Sequence, residues 1–135
     1  MSIDRLVAER VMGWTVNKEQ SPYRWNVPLD TRYYHEWDTC FVNNGCPRFS
    51  DHIADAWEVV EHLERQSPKW LCKLVRRAGD LADFNQIGWT CELRWIGVTR
   101  PREEAFGVHE SAPMAICLAA LRACGVSEQE IEEAK

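Results

Sequence analysis

Apolar positions recur at three- and four-residue intervals from Ile3 through Leu6, Val7 and Val11 to Trp14, the stripe of a helix with one buried face. Ser2 is placed to cap this helix and Gly13 to stop it. A second stripe of Ile53, Trp57, Val60 and Leu63 predicts a helix entered through Ser50 or Asp51 and ended at Ser67-Pro68. On this reading Trp57 lies in the core, while Asp51, Asp55, Glu58 and His62 face outward or sideways. Two stretches alternate instead. Residues 69–77 put Trp70, Cys72 and Leu74 on one face and Leu71, Lys73 and Val75 on the other; residues 89–95 set Trp89, Cys91, Leu93 and Trp95 against Thr90, Glu92 and Arg94. The turn residues between them favour antiparallel pairing, and apolar groups on both faces call for covering layers. A last long helix opens at Ser111 with Pro113 in its first turn, is rich in alanine, and stops at Gly125. Its small residues predict close packing. Ser127 to Glu130 form a capping box for a short acidic terminal helix.

Residues 22–49 fit neither period. Pro22, Pro28, Gly45 and Pro47 interrupt any regular element, so the segment reads as a long ordered loop with one short strand around Tyr33 to Trp37. It holds Tyr23, Trp25, Tyr33, Tyr34, Trp37, Phe41 and Phe49, half of the chain's aromatic residues, interleaved with Arg24, Arg32 and Arg48. Such content argues against disorder, and a loop of this length argues for a role. These rings either cover one side of the sheet or present a surface.

Three stretches carry a resemblance: Leu6-Val-Ala-Glu-Arg-Val-Met-Gly-Trp14, Ser50-Asp-His-Ile-Ala-Asp-Ala-Trp-Glu-Val-Val-Glu-His-Leu63 and Ser111-Ala-Pro-Met-Ala-Ile-Cys-Leu-Ala-Ala-Leu-Arg-Ala123. In this order and spacing they resemble the phage ABA sandwich domain proteins over nearly the whole chain. The resemblance implies an α/β/α layered fold and a phage or prophage setting, and implies no reaction. With the element order it gives an α+β class: one domain over residues 1–135, a small, mainly antiparallel sheet covered by helices.

A length of 135 residues with 45% apolar content is enough for one buried core. Neither a leader pattern nor a run of eighteen apolar residues is present, so a soluble protein of the host cytoplasm is expected, with no membrane contact. The net charge of −5 excludes a general binder of long nucleic acid. Local basic runs, from Arg65 to Arg77 and from Arg94 to Arg102, leave room for a small anion. Of six cysteines, Cys72, Cys91, Cys117 and Cys124 fall within apolar patterns, where free thiols pack as small hydrophobes. Cys40 and Cys46, with His35 and His52, could chemically hold zinc, but at a spacing that no zinc knuckle uses; no metal and no cofactor is expected.

Catalytic signatures are missing: no nucleophile elbow, phosphate loop, dinucleotide fingerprint or His-Glu-x-x-His helix occurs. His35 and Asp38 are close enough in sequence for an acid–base pair, with nothing to position a nucleophile, and Glu103 and Glu104 read as an exposed turn. No catalytic residue is assigned. Aromatic rings beside arginines suit a nucleotide-derived molecule, whose base stacks and whose phosphates accept paired hydrogen bonds. In a phage setting the expected role is anti-defence: sequestration, without cleavage, of an ADP-ribose-type or cyclic-nucleotide immune signal by a homo-oligomer. The assigned ligand-binding residues are Trp25, Tyr34 and Trp37 for the base and Arg24, Arg94 and Arg100 for the phosphates. The competing reading is a protein-interaction module that blocks a host protein, since tyrosine, tryptophan and arginine also dominate interface hot spots. A nucleotide-cleaving enzyme ranks below both. Concavity separates the first two: a deep pocket lined by rings and at least two arginines favours the ligand, a flat exposed patch the partner.

Overall fold

The structure is a computed structural model and describes residues 1–19, 21–67, 70–77, 88–96 and 104–135. Helix α1 (Ile3–Arg10) starts where the Ser2 hydroxyl accepts the Arg5 N–H at 3.2 Å and buries Ile3, Leu6, Val7 and Ala8. Gly13, at φ +78°, takes the left-handed turn that ends it and delivers Trp14 to the interior. Strands β1 (Thr15–Asn17) and β2 (Arg24–Asn26) then pair antiparallel. A single helical turn, α2 (Tyr34–Trp37), replaces the short strand expected there, with Asp38 N–H donating to the Tyr34 carbonyl at 3.0 Å.

Helix α3 (Ile53–Gln66) forms where expected but is entered through His52, with no side-chain cap from Ser50 or Asp51, and is rolled about its axis. It buries Ala56, Val59, Val60, His62 and Leu63, leaving Ile53 and Trp57 about half exposed, so Trp57 is not a core residue and His62 is. The wider stripe through Ala56 and Val59 wins because it faces the next helix of the core, α4 (Ala112–Ala123). Strands β3 (Trp70–Arg77), β4 (Gly88–Trp95) and β5 (Glu104–His109) make an antiparallel sheet in that order, with Trp70 opposite Trp95 and Glu92 opposite Phe106. The strand β5 was not anticipated; Glu104, read as a turn residue, is its first position.

Every residue of α4 from Ala115 to Leu121 is buried, the pattern of a helix enclosed on all sides. It packs on β5 and β4 with one flank and on α3 and α1 with the other. The approach to β5 is close enough that a Cβ on Gly107 would stand 1.9 Å from the Ala115 carbonyl oxygen. The alanines of α4 and Gly107 are thus two halves of one close contact. Helix α5 (Glu128–Ala134) is capped by Ser127, whose hydroxyl accepts the Glu130 N–H at 3.2 Å, and buries only Ile131. The α+β class and the small antiparallel sheet stand as expected. The helices described lie on one face of the three-stranded sheet, while Leu71, Lys73, Val75, Arg94, Phe106 and Val108 on the other face are exposed.

Candidate functional site

The aromatic segment folds inward around Trp14. The Trp25 ring meets it edge-on at 5.4 Å, Tyr33 at 6.1 Å and Phe49 at 6.4 Å, and Trp37 tilts against it at 6.1 Å. Such edge-to-face contacts suit ring quadrupoles and add to the area buried. The irregular backbone is satisfied from within the segment: Trp25 N–H donates to the Cys40 carbonyl and Thr39 N–H to that of Trp25, each at 2.9 Å, and Val27 N–H donates to the Asp38 carboxylate at 3.0 Å. The Trp25 indole N–H donates to the Gly45 carbonyl at 2.8 Å.

The segment is also tied to α3. The buried Tyr33 hydroxyl donates to Asp55 Oδ1 at 2.7 Å, and burial together with that carboxylate pushes the phenol well above its usual range. Arg32 reaches Asp55 at 3.4 Å and Glu58 at 3.6 Å, and His52 stands 3.6 Å from Asp55. Every one of these groups has a structural partner.

This placement revises the ligand-binding assignment. Trp25 is 1% exposed and cannot stack on a ligand without opening the core. Tyr34 and Trp37 are half-buried, Tyr34 with its ring against His35 at 5.5 Å and Trp37 leaning on Trp14. Arg24 is exposed and lies over the Phe41 ring at 4.9 Å, the two residues bridging as neighbouring extended backbone. Arg94 belongs to the other sheet, where Glu92 at 2.8 Å and Glu104 at 3.3 Å neutralise it. Arg100 lies outside the described residues. The depression that includes Arg94 holds about 280 Å³ beside Leu71, Cys72, Lys73 and Glu92, with no aromatic ring among the described residues of its lining.

The remaining chemical candidates are also dispersed. Asp38 is engaged by the Val27 N–H rather than by His35. Cys40 donates its thiol to the Glu36 carbonyl at 3.2 Å, and burial near Asp4 pushes the Cys46 thiol up to about 12. No group of three or more histidine, cysteine, aspartate or glutamate side chains that could hold a metal occurs among the described residues. Cys72 and Cys91 lie with sulfurs 3.9 Å apart on the covered face of the sheet, a contact that lowers the Cys72 thiol and raises that of Cys91.

The largest feature that sequence reasoning missed is the bare sheet face. On it the register makes a grid of three rows: Val75, Lys73 and Leu71 on β3; Thr90, Glu92 and Arg94 on β4; Val108, Phe106 and Glu104 on β5. A signal for it existed in β5, where Phe106 and Val108 alternate with Ala105 and Gly107. Large residues there face outward and the small ones face α4.

No helix among the described residues is long and apolar enough to cross a membrane. No curated protein and no solved structure matches the chain. The model of one family, the phage ABA sandwich domain, matches residues 5–121, which takes in the first two stretches that carried the resemblance and the third as far as Leu121. The chain belongs to the phage ABA sandwich domain family.

Proposed function

We propose that this phage-family protein acts by binding rather than by catalysis, as a protein-interaction module whose contact surface is the outer side of the aromatic segment. One observation carries the reading. The segment keeps its tryptophan rings inside or half-buried and exposes Tyr23, Arg24 and Phe41, with the Arg24 guanidinium 4.9 Å over the Phe41 ring. Arginine and aromatic residues presented rigidly are the composition of an interface hot spot, and a preordered side chain loses little freedom on docking. Asp55, Glu58 and Asp38, the carboxylates nearest in role to catalytic groups, are each held by a structural partner, which favours binding over turnover.

Sequestration of a nucleotide-derived immune signal is the second reading, favoured by the same pair: an exposed ring for a base beside a guanidinium for a phosphate. A photo-crosslinking residue at position 41, in cells making the protein, separates the two. A recurrent cross-linked protein that disappears with Arg24→Glu supports the module. Calorimetric binding of ADP-ribose derivatives or cyclic nucleotides, with intact ligand released by heat and no protein cross-link, supports sequestration. Turnover of any of these compounds overturns both.

A further inference from the structure

We infer that the bare face of the β3–β4–β5 sheet docks a second copy of this chain. This goes beyond the aromatic segment, which lies on other elements. Leu71, Val75, Phe106 and Val108 are each between 41% and 55% exposed on one continuous face, and Ile96 at the end of β4 is 54% exposed. Exposed apolar residues of this kind, held on rigid strands on either side of Thr90, Glu92 and Arg94, are what a partner surface covers.

Charge selects the occupant. The chain carries −5 overall, so two copies repel over most of their surface. Among the described residues the bare face holds Lys73 and Arg94 with Glu92 and Glu104, two charges of each sign. Arg94 is paired within the chain to both glutamates, whereas Lys73 forms no ion pair with any described residue. Lys73 and Glu92 stand side by side in register on adjacent strands. A two-fold axis running along the strands between β3 and β4 therefore lays Lys73 of each copy on Glu92 of the other. It sets Val75 on Thr90 and Leu71 on the stem of Arg94 in the same operation, and leaves Phe106 along the rim. An isologous contact of this sort closes at two copies.

The face is small. Three strands at ~4.8 Å spacing and six residues at ~3.4 Å give roughly 300 Å² per copy in projection, well below the ~800 Å² per partner of a stable interface. The dimer is accordingly one that dissociates on dilution.

The test is sedimentation velocity on the full chain from low to high micromolar concentration. The wild type should shift from 15.7 kDa to twice that mass. Lys73→Glu and Glu92→Lys should each weaken self-association by about tenfold or more, through like charges brought face to face. An equimolar mixture of the two variants should recover the dimer, because each then meets its opposite charge twice. Phe106→Ser, with the thermal melt checked, should weaken the dimer without reversing a charge. A wild type that stays monomeric throughout overturns the inference, as does a dimer indifferent to all three variants. Single variants that fail to rescue one another overturn the Lys73–Glu92 arrangement.

Discussion

Residues 22–49 and the strands β3 to β5 reverse the usual link between regularity and burial. The first stretch has no sustained period, yet Trp25, Tyr33 and Phe49 sit fully inside around Trp14. The second is regular in hydrogen bonding and register, yet exposes Leu71, Val75, Phe106 and Val108. What decides burial is whether another element packs against the residue. The irregular segment has β1, the end of α1 and α3 behind it; the sheet has α4 behind one face, and over β5 that helix comes so close that Ala105 and Gly107 stand where larger residues would clash. Large apolar residues of β5 are displaced to the far side.

The strongest way to break this contrast is to remove an interior ring from the irregular segment. Trp25→Ala should destabilise the fold by about 3–5 kcal/mol in denaturant unfolding, because it leaves a cavity and an unpaired Gly45 carbonyl. A loss below about 1 kcal/mol would return Trp25 to the surface. Next comes the close contact under the sheet. Gly107→Ala drives a Cβ into the Ala115 carbonyl and should cost about 1–3 kcal/mol or more, measured the same way. No loss would mean that α4 sits further from β5.

His62 sharpens the picture on the α3 side. It is buried, its Nε2 has no hydrogen-bond partner among the described residues, and burial lowers its pKa below the ordinary 6.5 against the pull of nearby Asp30. Below pH 6.5 the unfolded chain takes up a proton that the folded chain refuses. The unfolded state then binds more protons, so stability is full above pH 6.5 and falls as the pH drops beneath it, by at most about 1.4 kcal/mol per pH unit for one proton. Stability curves across that window should lose this component in His62→Leu, and an unchanged slope would remove His62 from the account. The smallest effect belongs to Trp57→Ala, which should change stability by no more than about 0.5–1 kcal/mol, since that ring is 45% exposed. A loss comparable to Trp25→Ala would restore the buried stripe expected from spacing alone.

Most elements were legible because capping and period agree. Ser2, Ser111 and Ser127 cap helices as their positions suggest, and the alternation of β3 and β4 matches their pairing. The rotation of α3 was not, because Ile53 and Trp57 form a valid stripe and only the proximity of α4 selects Ala56 and Val59 instead. Strand β5 was hidden by an inverted pattern, small residues in and large ones out. For the candidate site, composition drew attention to residues 22–49 and to Trp25, Tyr34 and Trp37 for stacking, but composition does not say which rings the core takes, and it takes Trp25 whole. Arg24 survives as a surface residue because a guanidinium keeps its charge in water while lying 4.9 Å over the Phe41 ring.

Hydroxyl-radical footprinting read by mass spectrometry, on wild-type protein at low and high micromolar concentration, tests the central contrast most directly. Trp25 and Phe49 should stay protected at every concentration, while Leu71 and Phe106 should both be labelled in dilute protein and Leu71, set on the partner's Arg94 stem, should be shielded as the concentration rises. Labelling of Trp25 comparable to that of Trp57, or Phe106 protected even in dilute protein, would contradict the account.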